Sequence, residues 1–476
     1  MTVQSSSFYA ILQVLASCFT EPSFQNFATI AVGLILCRDR HYISQAVRVC
    51  VSLGVSQHHS VFYRFFSRAK WIPDELGKAL FQRLLRFVPD GRLTVLVDDT
   101  LCRRTGPHIW GAGMHHDAVA SSYGRNSGQG RHVAFAFGHS WVILALWVPL
   151  PWNRDRGVAI PILFRLYRSK KLAPSTEYRK RTMLALEIVR VLGTWIADSD
   201  REVMLVGDSE YACCTVIKHL PARFHFTGPV VMNAALFQLP ARSKKRGPGA
   251  PRKKGDRLPT PAKLVSNRAY PWVELTVTIY GRPVAILIKT LVCQWYQVAG
   301  CRPVRVVITR DPTGRIDDRV YMSTDSKVTV EQTLGVFSRR WSLEVTFYNT
   351  KQYLGVEHPQ NGWGYLPNRR RKKKMPGPQP RANKGQRAVE RTVPCVLYLY
   401  GLIHLWYFEH GNPLADVARA RRLAPWYRQK RTPSFADMLD ALRRHLASTL
   451  EFSLDPVSDR VLQQLPGAPD PLMAAA

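Results

Sequence analysis

Three carboxylates stand out in a chain whose charge is otherwise strongly basic. Asp98 and Asp208 each follow a short apolar run typical of a β-strand, at residues 94–97 and 202–206, and Glu344 lies in a segment with helical spacing. Carboxylate oxygens are the ligands that Mg²⁺ prefers. Two such ions activate the attacking oxygen and stabilise the leaving oxygen in phosphoryl transfer. Three carboxylates that meet at one end of a sheet would therefore make a metal site for that chemistry.

The predicted helix around Glu344 carries two stripes of side chains. At about 100° per residue, one stripe spans an arc of roughly 60° and consists of Phe337, Arg340, Glu344 and Lys351. A neighbouring apolar stripe is expected to anchor the helix on the sheet, and it consists of Trp341, Val345 and Tyr348. A carboxylate between two cations suits a metal ion next to a DNA phosphate. A solvated helix face with an Arg340–Glu344 ion pair is the alternative.

The spacing Phe337-(2)-Arg340-(3)-Glu344-(6)-Lys351 resembles the Tyr-Arg-Glu-Lys signature of DDE transposases from bacterial insertion sequences. The run Arg340-Trp341-Ser342-Leu343-Glu344 is similar to the Arg-Trp-x-Ile-Glu core of that family. Phe337 stands where the family usually has tyrosine, so the hydroxyl contact to phosphate is absent or supplied elsewhere.

Two further motifs carry the resemblance. Asp98-Asp99-Thr100 fits the Asp-x-Thr motif of the first catalytic aspartate, which favours Asp98 and leaves Asp99 as the alternative. Asp208 follows an apolar run and precedes an aromatic helix start at Tyr211, as the second aspartate does in that family. The resemblance extends over residues 92–355, with a β-rich insert before Glu344, and includes the closing segment 391–394.

The resemblance implies a set of roles. Asp98, Asp208 and Glu344 would hold two Mg²⁺ ions, for which Mn²⁺ is expected to substitute, while Arg340, Lys351 and Phe337 would position DNA phosphates. The implied fold class is α/β: a ribonuclease-H-like mixed sheet flanked by helices, interrupted by a β-rich insertion, with a helical N-terminal DNA-binding domain.

The pattern along the chain predicts three regions. Residues 1–90 have helical spacing and form the probable DNA-binding domain, in which residues 43–70 fit either a helix-turn-helix or an ordinary helical hairpin. Residues 91–365 form the catalytic domain, with a β-rich insertion at 222–325 that includes strands near 273–280, 284–289, 294–298 and 304–309. One long helix is predicted from Thr329 to about Tyr353. Residues 366–476 form a basic loop and a helical C-terminal region.

The charge of the chain predicts a polyanionic partner. Lys and Arg total 67 against 34 Asp and Glu, a formal net charge of +33. Charges of this size reflect partners rather than folding, and contacts of Lys and Arg with phosphates supply most non-specific affinity for DNA. The residues expected to bind DNA lie in the second N-terminal helix and in two basic segments: Arg64, Arg68, Lys244, Lys245, Arg246, Arg252, Lys253, Lys254, Arg369, Arg370, Arg371, Lys372, Lys373 and Lys374.

Other kinds of site have little support. The nine cysteines form no C-x-x-C pair, so neither a zinc ribbon nor a disulfide framework is expected. His115 and His116 are adjacent on a predicted strand and would point to opposite faces, which argues against a zinc site with Asp117. The chain has neither a P-loop nor a G-x-S-x-G motif.

The sequence therefore predicts a transposase that cuts the ends of its element and joins them to target DNA. It is expected to be a soluble protein of the bacterial cytoplasm, associated with the nucleoid. It would act as a homodimer or larger assembly on double-stranded DNA, at the terminal inverted repeats and at the target. A membrane is not expected to be a partner. The alternatives are a domesticated, non-catalytic DNA-binding protein and a nuclease that cuts without joining.

Overall fold

The computed structural model describes residues 6–106, 109–121, 133–240, 252–279, 281–360 and 382–451. Its centre is a ten-stranded mixed sheet with helices on both faces, so the predicted α/β class is confirmed. The strands are β1 (Leu93–Arg103), β2 (Gly113–His116), β3 (Phe135–Leu150), β4 (Asn153–Tyr167), β5 (Val203–Val206), β6 (Phe224–Pro229), β7 (Val273–Ile279), β8 (Arg282–Cys293), β9 (Val304–Arg310) and β10 (Arg319–Ser323).

The order of the strands is β2-β3-β1-β5-β6-β10-β9-β8-β7, and β4 pairs with β3. β3 is antiparallel to both β1 and β4. β5 is parallel to both β1 and β6. The order β4-β3-β1-β5-β6 with these directions is consistent with a ribonuclease-H-like core. The strands β7–β10, which come from the predicted β-rich block, extend the same sheet beyond β6.

The helices before the sheet are α1 (Ser7–Leu12), α2 (Glu21–Leu36), α3 (Ile43–Ser52), α4 (Ser60–Ser67) and α5 (Pro73–Leu84). Those within and after it are α6 (Arg181–Trp195), α7 (Cys214–Ile217), α8 (Pro261–Ser266), α9 (Tyr296–Ala299), α10 (Val330–Ser338), α11 (Trp341–Tyr353), α12 (Ala382–His410), α13 (Pro413–Leu423) and α14 (Phe435–Glu451). None of the described helices is both long and apolar enough to span a bilayer.

Alternating side chains of β1 supply two cores. Val95 and Val97 belong to the main core, which the N-terminal helices and α6 also enter. Leu96 belongs to a smaller cluster that contains Leu343 of α11. Because successive residues of a strand point to opposite faces, β1 presents one face to α6 and the other to α11.

The strand predicted at 294–298 is wrong, because β8 ends at Cys293 and the chain then forms the short helix α9. The side-chain amide of Gln294 is buried and donates to the Cys301 carbonyl at 3.1 Å, which closes the turn that leads back to β9. The apolar residues of this tight turn have the same sequence pattern as a strand, which explains the error.

The single helix predicted from Thr329 to Tyr353 is two helices. α10 begins with a capping box between Thr329 and Gln332 and ends at Ser338. Arg339 at the junction is largely buried: its guanidinium lies 4.0 Å from the Trp147 ring and donates to the Thr94 hydroxyl at 2.8 Å. These contacts fix the junction against the sheet and give α11 a direction of its own.

The apolar stripe predicted to anchor α11 faces the other way. Trp341, Val345 and Tyr348 are 52%, 42% and 61% exposed. The helix is anchored instead by Leu343 and Thr346, which are fully buried. The Thr346 hydroxyl donates to the Ala159 carbonyl of β4 at 2.7 Å, a bond that compensates for burying a polar group and that hydrophobic periodicity cannot predict.

Candidate active site

The two adjacent aspartates of β1 lie on opposite faces of the sheet. β1 does not end at Asp98, as predicted, but continues to Arg103, so Asp98 lies in mid-strand opposite Ile143 of β3. By alternation Asp98 shares the face of Leu96 and points toward α11, whereas Asp99 shares the face of Val97 and points toward α6. Of the two, Asp98 is therefore the one that can meet Glu344.

Asp98 and Glu344 are joined by one guanidinium. Arg340 donates to Asp98 Oδ2 at 2.8 Å through Nη1 and to Glu344 Oε1 at 2.6 Å through Nη2. The side chain of Asp98 is 14% exposed and those of Arg340 and Glu344 are 22% and 34% exposed, so all three are partly shielded from solvent. The predicted intrahelical pair between Arg340 and Glu344 is present, but it is part of a larger bridge to the sheet.

Burial raises the pKa of Asp98 to about 7. Arg340 opposes this shift, and the neighbouring carboxylates of Asp208 and Asp99 add to it. Asp98 and Asp208 come to the same region of the sheet because β1 and β5 are adjacent parallel strands: Leu96 pairs with Val206, and each aspartate follows its partner by two residues. The neighbouring carboxylates repel one another, and a divalent cation bound among them would relieve that repulsion.

Asp208 lies in the turn that follows β5. Its Oδ1 accepts the backbone N–H of Glu210 at 2.9 Å, so one oxygen shapes the turn. Gly207 allows a close approach there, because a Cβ at this position would come within 3.0 Å of both Val97 and Tyr211. The local sequence thus places the second carboxylate at the end of its strand, as predicted.

The Asp99 side of the sheet carries a second polar cluster that the sequence analysis missed. The Asp99 carboxylate lies 3.4 Å from Arg181 Nε, from the Ser140 hydroxyl and from the Tyr211 hydroxyl. Glu210 lies 3.9 Å from Arg181, and burial raises its pKa, with Asp99 adding to the shift. The acidic run Asp208-Ser209-Glu210 was a signal for Glu210, but Arg181 comes from α6 without a local motif.

Lys351 shares the face of α11 that carries Arg340 and Glu344, whereas Phe337 does not. Phe337 belongs to α10 and its ring packs 4.7 Å from that of Tyr321, at the edge of the smaller core cluster. Lys351 donates to the Leu101 carbonyl at 2.7 Å and lies 3.5 Å from Glu357. The four residues were predicted to form one stripe on a continuous helix. The break at Arg339 takes only Phe337 out of it, because Arg340 and Lys351 both donate to β1 from α11.

The predicted DNA-binding residues lie in several places. Arg64 and Arg68 are exposed on and just after α4. Arg252 pairs with Asp256 at 2.8 Å, Lys253 is exposed, and the Lys254 ammonium lies 4.4 Å from the Phe237 ring. The remaining predicted residues lie outside the described residues: Lys244, Lys245, Arg246, Arg369, Arg370, Arg371, Lys372, Lys373 and Lys374.

A separate cluster with the geometry of a metal site lies at the other end of β5. Ligand atoms of Glu202, His225 and Asp325 all fall within 4.8 Å of one another. Arg92 already pairs with Glu202 and, at 2.7 Å, with Asp325, so a guanidinium neutralises the two carboxylates. We interpret this cluster as a structural network of ion pairs that joins the starts of β1 and β5 to the end of β10.

The chain matches a family model described as DDE superfamily endonuclease over residues 14–284, more than half of its 476 residues. It belongs to the DDE endonuclease superfamily. No curated protein matches it. The matched range of this DDE endonuclease contains Asp98 and Asp208, and it ends before Glu344. The third carboxylate is connected to Asp98 by geometry, through the Arg340 bridge.

Proposed function

We propose that this DDE endonuclease is the DNA transposase of an insertion sequence, with Asp98, Asp208 and Glu344 as its catalytic carboxylates. The observation that supports the proposal best is the bridge from Arg340 to Asp98, two residues 242 positions apart in the chain. Glu344 on the same guanidinium completes a set of acidic groups on one face of β1. The superfamily implies DNA as the substrate.

The donor set fits a hard divalent cation, because it consists of carboxylate oxygens alone. Asp98, Asp208 and Glu344 would hold two Mg²⁺ ions, with Mn²⁺ as a substitute. Bound there, the ions would polarise the scissile phosphate and favour the attacking oxygen. Since Arg340 now lies between Asp98 and Glu344, metal binding is expected to compete with this guanidinium, whose fork of donors suits a phosphate equally well.

The other parts of the chain would bind and arrange the DNA. Residues 1–90, with Arg64 and Arg68, would contact the terminal inverted repeats, and the basic segments near 244–254 and 369–374 would follow the phosphate backbone. Residues 91–365, including the strands of 222–325, would form the catalytic domain and 366–476 the C-terminal region. The protein would act in the bacterial cytoplasm, at the nucleoid, as a homodimer or larger assembly on DNA.

Excision in cells tests the proposal directly. A marker is flanked by the DNA found on either side of this gene, and wild type is compared with Asp98→Asn, Asp208→Asn and Glu344→Gln. Glu187→Gln is the matched control, because Glu187 is a half-exposed carboxylate on α6 that pairs with Arg165 on β4. We expect excision by wild type and by the control, and none by the three site variants.

Purified protein distinguishes the rival functions. With Mg²⁺ and a duplex that carries the element's end, a transposase yields both cut ends and strand-transfer products, whereas a nuclease yields cut ends alone. Glu344→Gln should still bind this duplex. Cutting by Glu344→Gln at the wild-type rate would remove Glu344 from the site, and binding without any cutting by wild type would indicate a non-catalytic DNA-binding protein.

A further inference from the structure

A strongly basic surface with exposed aromatic rings lies at the connection between α13 and α14, away from the segments assigned to DNA above. Residues 419–431 carry six basic side chains and no acidic one. Trp426 and Tyr427 are 75% and 52% exposed, and Leu423 is 63% exposed. The C-terminal basic surface is defined by Arg421, Arg422, Trp426, Tyr427, Arg428 and Arg431.

The shape of this surface is fixed by contacts within the protein. The Arg421 guanidinium donates to the Lys430 carbonyl at 2.9 Å through Nε, and the Lys430 ammonium pairs with Asp437 at 2.5 Å. Backbone bonds from Tyr427 to Ala424 and from Lys430 to Tyr427 close two successive turns. An ordered connection loses less conformational entropy on binding than a loose one.

Three arginines on this surface remain available to a ligand. Arg422, Arg428 and Arg431 are exposed, and the side chain of none of them makes an ion pair or hydrogen bond within the described part of the chain. Guanidinium groups bind phosphate through paired donors, and they are held here on an ordered connection. If this surface only stabilised the fold, its arginines would be expected to pair with acidic side chains of the same chain.

The residues that follow the C-terminal basic surface in the chain line a cleft beside the exposed face of α11. A cleft of about 800 Å³ is lined both by Thr432, Pro433 and Ser434 and by Trp341 and Val345 of α11. The Tyr353 ring near the end of α11 lies 6.0 Å from the ring of Phe435, which begins α14 four residues after Arg431. The exposed ring of Tyr348 lies between Glu344 and Tyr353 on α11 and therefore leads from Glu344 toward the C-terminal basic surface.

The length of α11 sets the distance between the site and the surface. Nine residues separate Glu344 from Tyr353, which corresponds to about 14 Å along the helix axis. In B-form DNA that distance covers roughly four base pairs. A duplex that follows α11 would thus have its cut phosphate at Glu344 and its backbone on the C-terminal basic surface within about half a helical turn.

We propose that the C-terminal basic surface binds the phosphate backbone of the duplex that is being cut, about four base pairs from the scissile phosphate. The inference rests on the proposed function, since it assumes that Glu344 lies at the scissile phosphate. Charge complementarity identifies duplex DNA as the occupant, because three exposed arginines without an ion pair in the described part of the chain share one connection with two exposed rings.

The salt dependence of DNA binding tests this proposal without any cleavage. Binding of a random-sequence duplex is measured in EDTA at several salt concentrations for wild type and for a variant that combines Arg422→Gln, Arg428→Gln and Arg431→Gln. Each lost phosphate contact should lower the slope of log K against log salt by about 0.9, so we expect a decrease of roughly 2 to 3.

A matched variant controls for net charge. Lys78→Gln, Arg190→Gln and Lys218→Gln remove the same charge from exposed positions on or next to α5, α6 and α7, which pack on the face of the sheet opposite α11. This variant should keep the wild-type slope. Equal slopes for all three proteins would overturn the inference and leave the proposed function untouched, because cleavage is measured separately.

Contact with a second copy of the chain is the main rival occupant. Exposed Trp and Tyr are enriched in the centres of protein interfaces. The mass of the free protein is therefore measured by sedimentation for wild type and for the double variant Trp426→Ala, Tyr427→Ala. We expect the same mass for both; a smaller mass for the variant would assign the surface to an interface between copies and overturn the proposal.

Discussion

Asp98→Asn and Asp99→Asn form a matched pair of variants that tests the choice between the two adjacent aspartates. Each removes one negative charge from β1 and changes the side-chain volume little. Asp98 faces Arg340 at 2.8 Å and, through it, Glu344. Asp99 faces Arg181 at 3.4 Å on the other side of the sheet. We expect only Asp98→Asn to abolish cleavage.

The size of the effect on cleavage follows from the role of the carboxylate. A metal ion in phosphoryl transfer contributes several kcal/mol, and a loss of about 4 kcal/mol corresponds to a rate lower by roughly a thousandfold. Asp99→Asn removes no group from the Arg340 side and should stay within about tenfold of wild type, a range equal to roughly 1.4 kcal/mol. Single-turnover cleavage of an end-containing duplex at saturating protein measures both.

The same substitution should stabilise the fold in the absence of metal. The pKa of Asp98 rises from 3.8 to about 7, so the folded protein holds this proton more tightly than the unfolded chain does. The resulting penalty on stability is absent below pH 4, grows as the pH rises, and is complete above pH 7. Its upper limit is about 4 kcal/mol, three pKa units at roughly 1.4 kcal/mol each.

Urea unfolding followed by circular dichroism in EDTA measures this gain. Asp98→Asn should exceed wild type in stability at pH 8, and the difference should shrink toward pH 4. An Asp98→Asn protein that cleaves as wild type does, with Asp99→Asn inactive, would refute the assignment of the first carboxylate. An Asp98→Asn protein less stable than wild type at pH 8 would refute the claim that burial of this charge costs stability.

Two further predictions follow from named contacts. Arg340→Lys keeps the charge but loses the fork of donors that suits a phosphate when metal is bound, so single-turnover cleavage should fall by roughly ten- to a hundredfold; a rate within twofold of wild type would contradict this role of Arg340. Burial lowers the pKa of His404 to about 4. Its neutral form therefore favours folding fully above pH 6.5, and this contribution is lost progressively toward pH 4. His404→Asn, which keeps an N–H for the Tyr400 carbonyl, should lose about 2 kcal/mol less stability than wild type between pH 8 and pH 5 by urea unfolding; parallel pH profiles would contradict this.

Much of the local structure follows from residues that are close in the chain. The β-branched run before Asp98 predicts β1, and the apolar run before Asp208 predicts β5. The capping box of Thr329 and Gln332 marks the start of α10. Each of these features depends on residues that are close together in the chain. The sequence of one protein is therefore enough to predict them.

The errors of prediction share one physical cause, which is that periodicity shows which side chains are apolar but not what they meet. The exposed stripe of α11 is apolar, whereas its buried face includes the polar residue Thr346. Thr346 can be buried because its hydroxyl donates to a carbonyl of β4. The break between α10 and α11 depends on Trp147 and Thr94, which are distant in the chain. Neither contact leaves a trace in the local pattern.

For the candidate site as well, the sequence predicts one part and the tertiary structure decides the other. Residue types and spacing, together with the resemblance to DDE transposases, indicated carboxylates for metal-assisted phosphoryl transfer, and the basic composition indicated DNA. Only the tertiary structure decided that Asp98, rather than Asp99, faces Glu344, because the choice depends on which face of β1 receives α11. Pairing of β1 with β3 and β5, and packing of Leu343 beside Leu96, set that face through contacts between segments far apart in the chain.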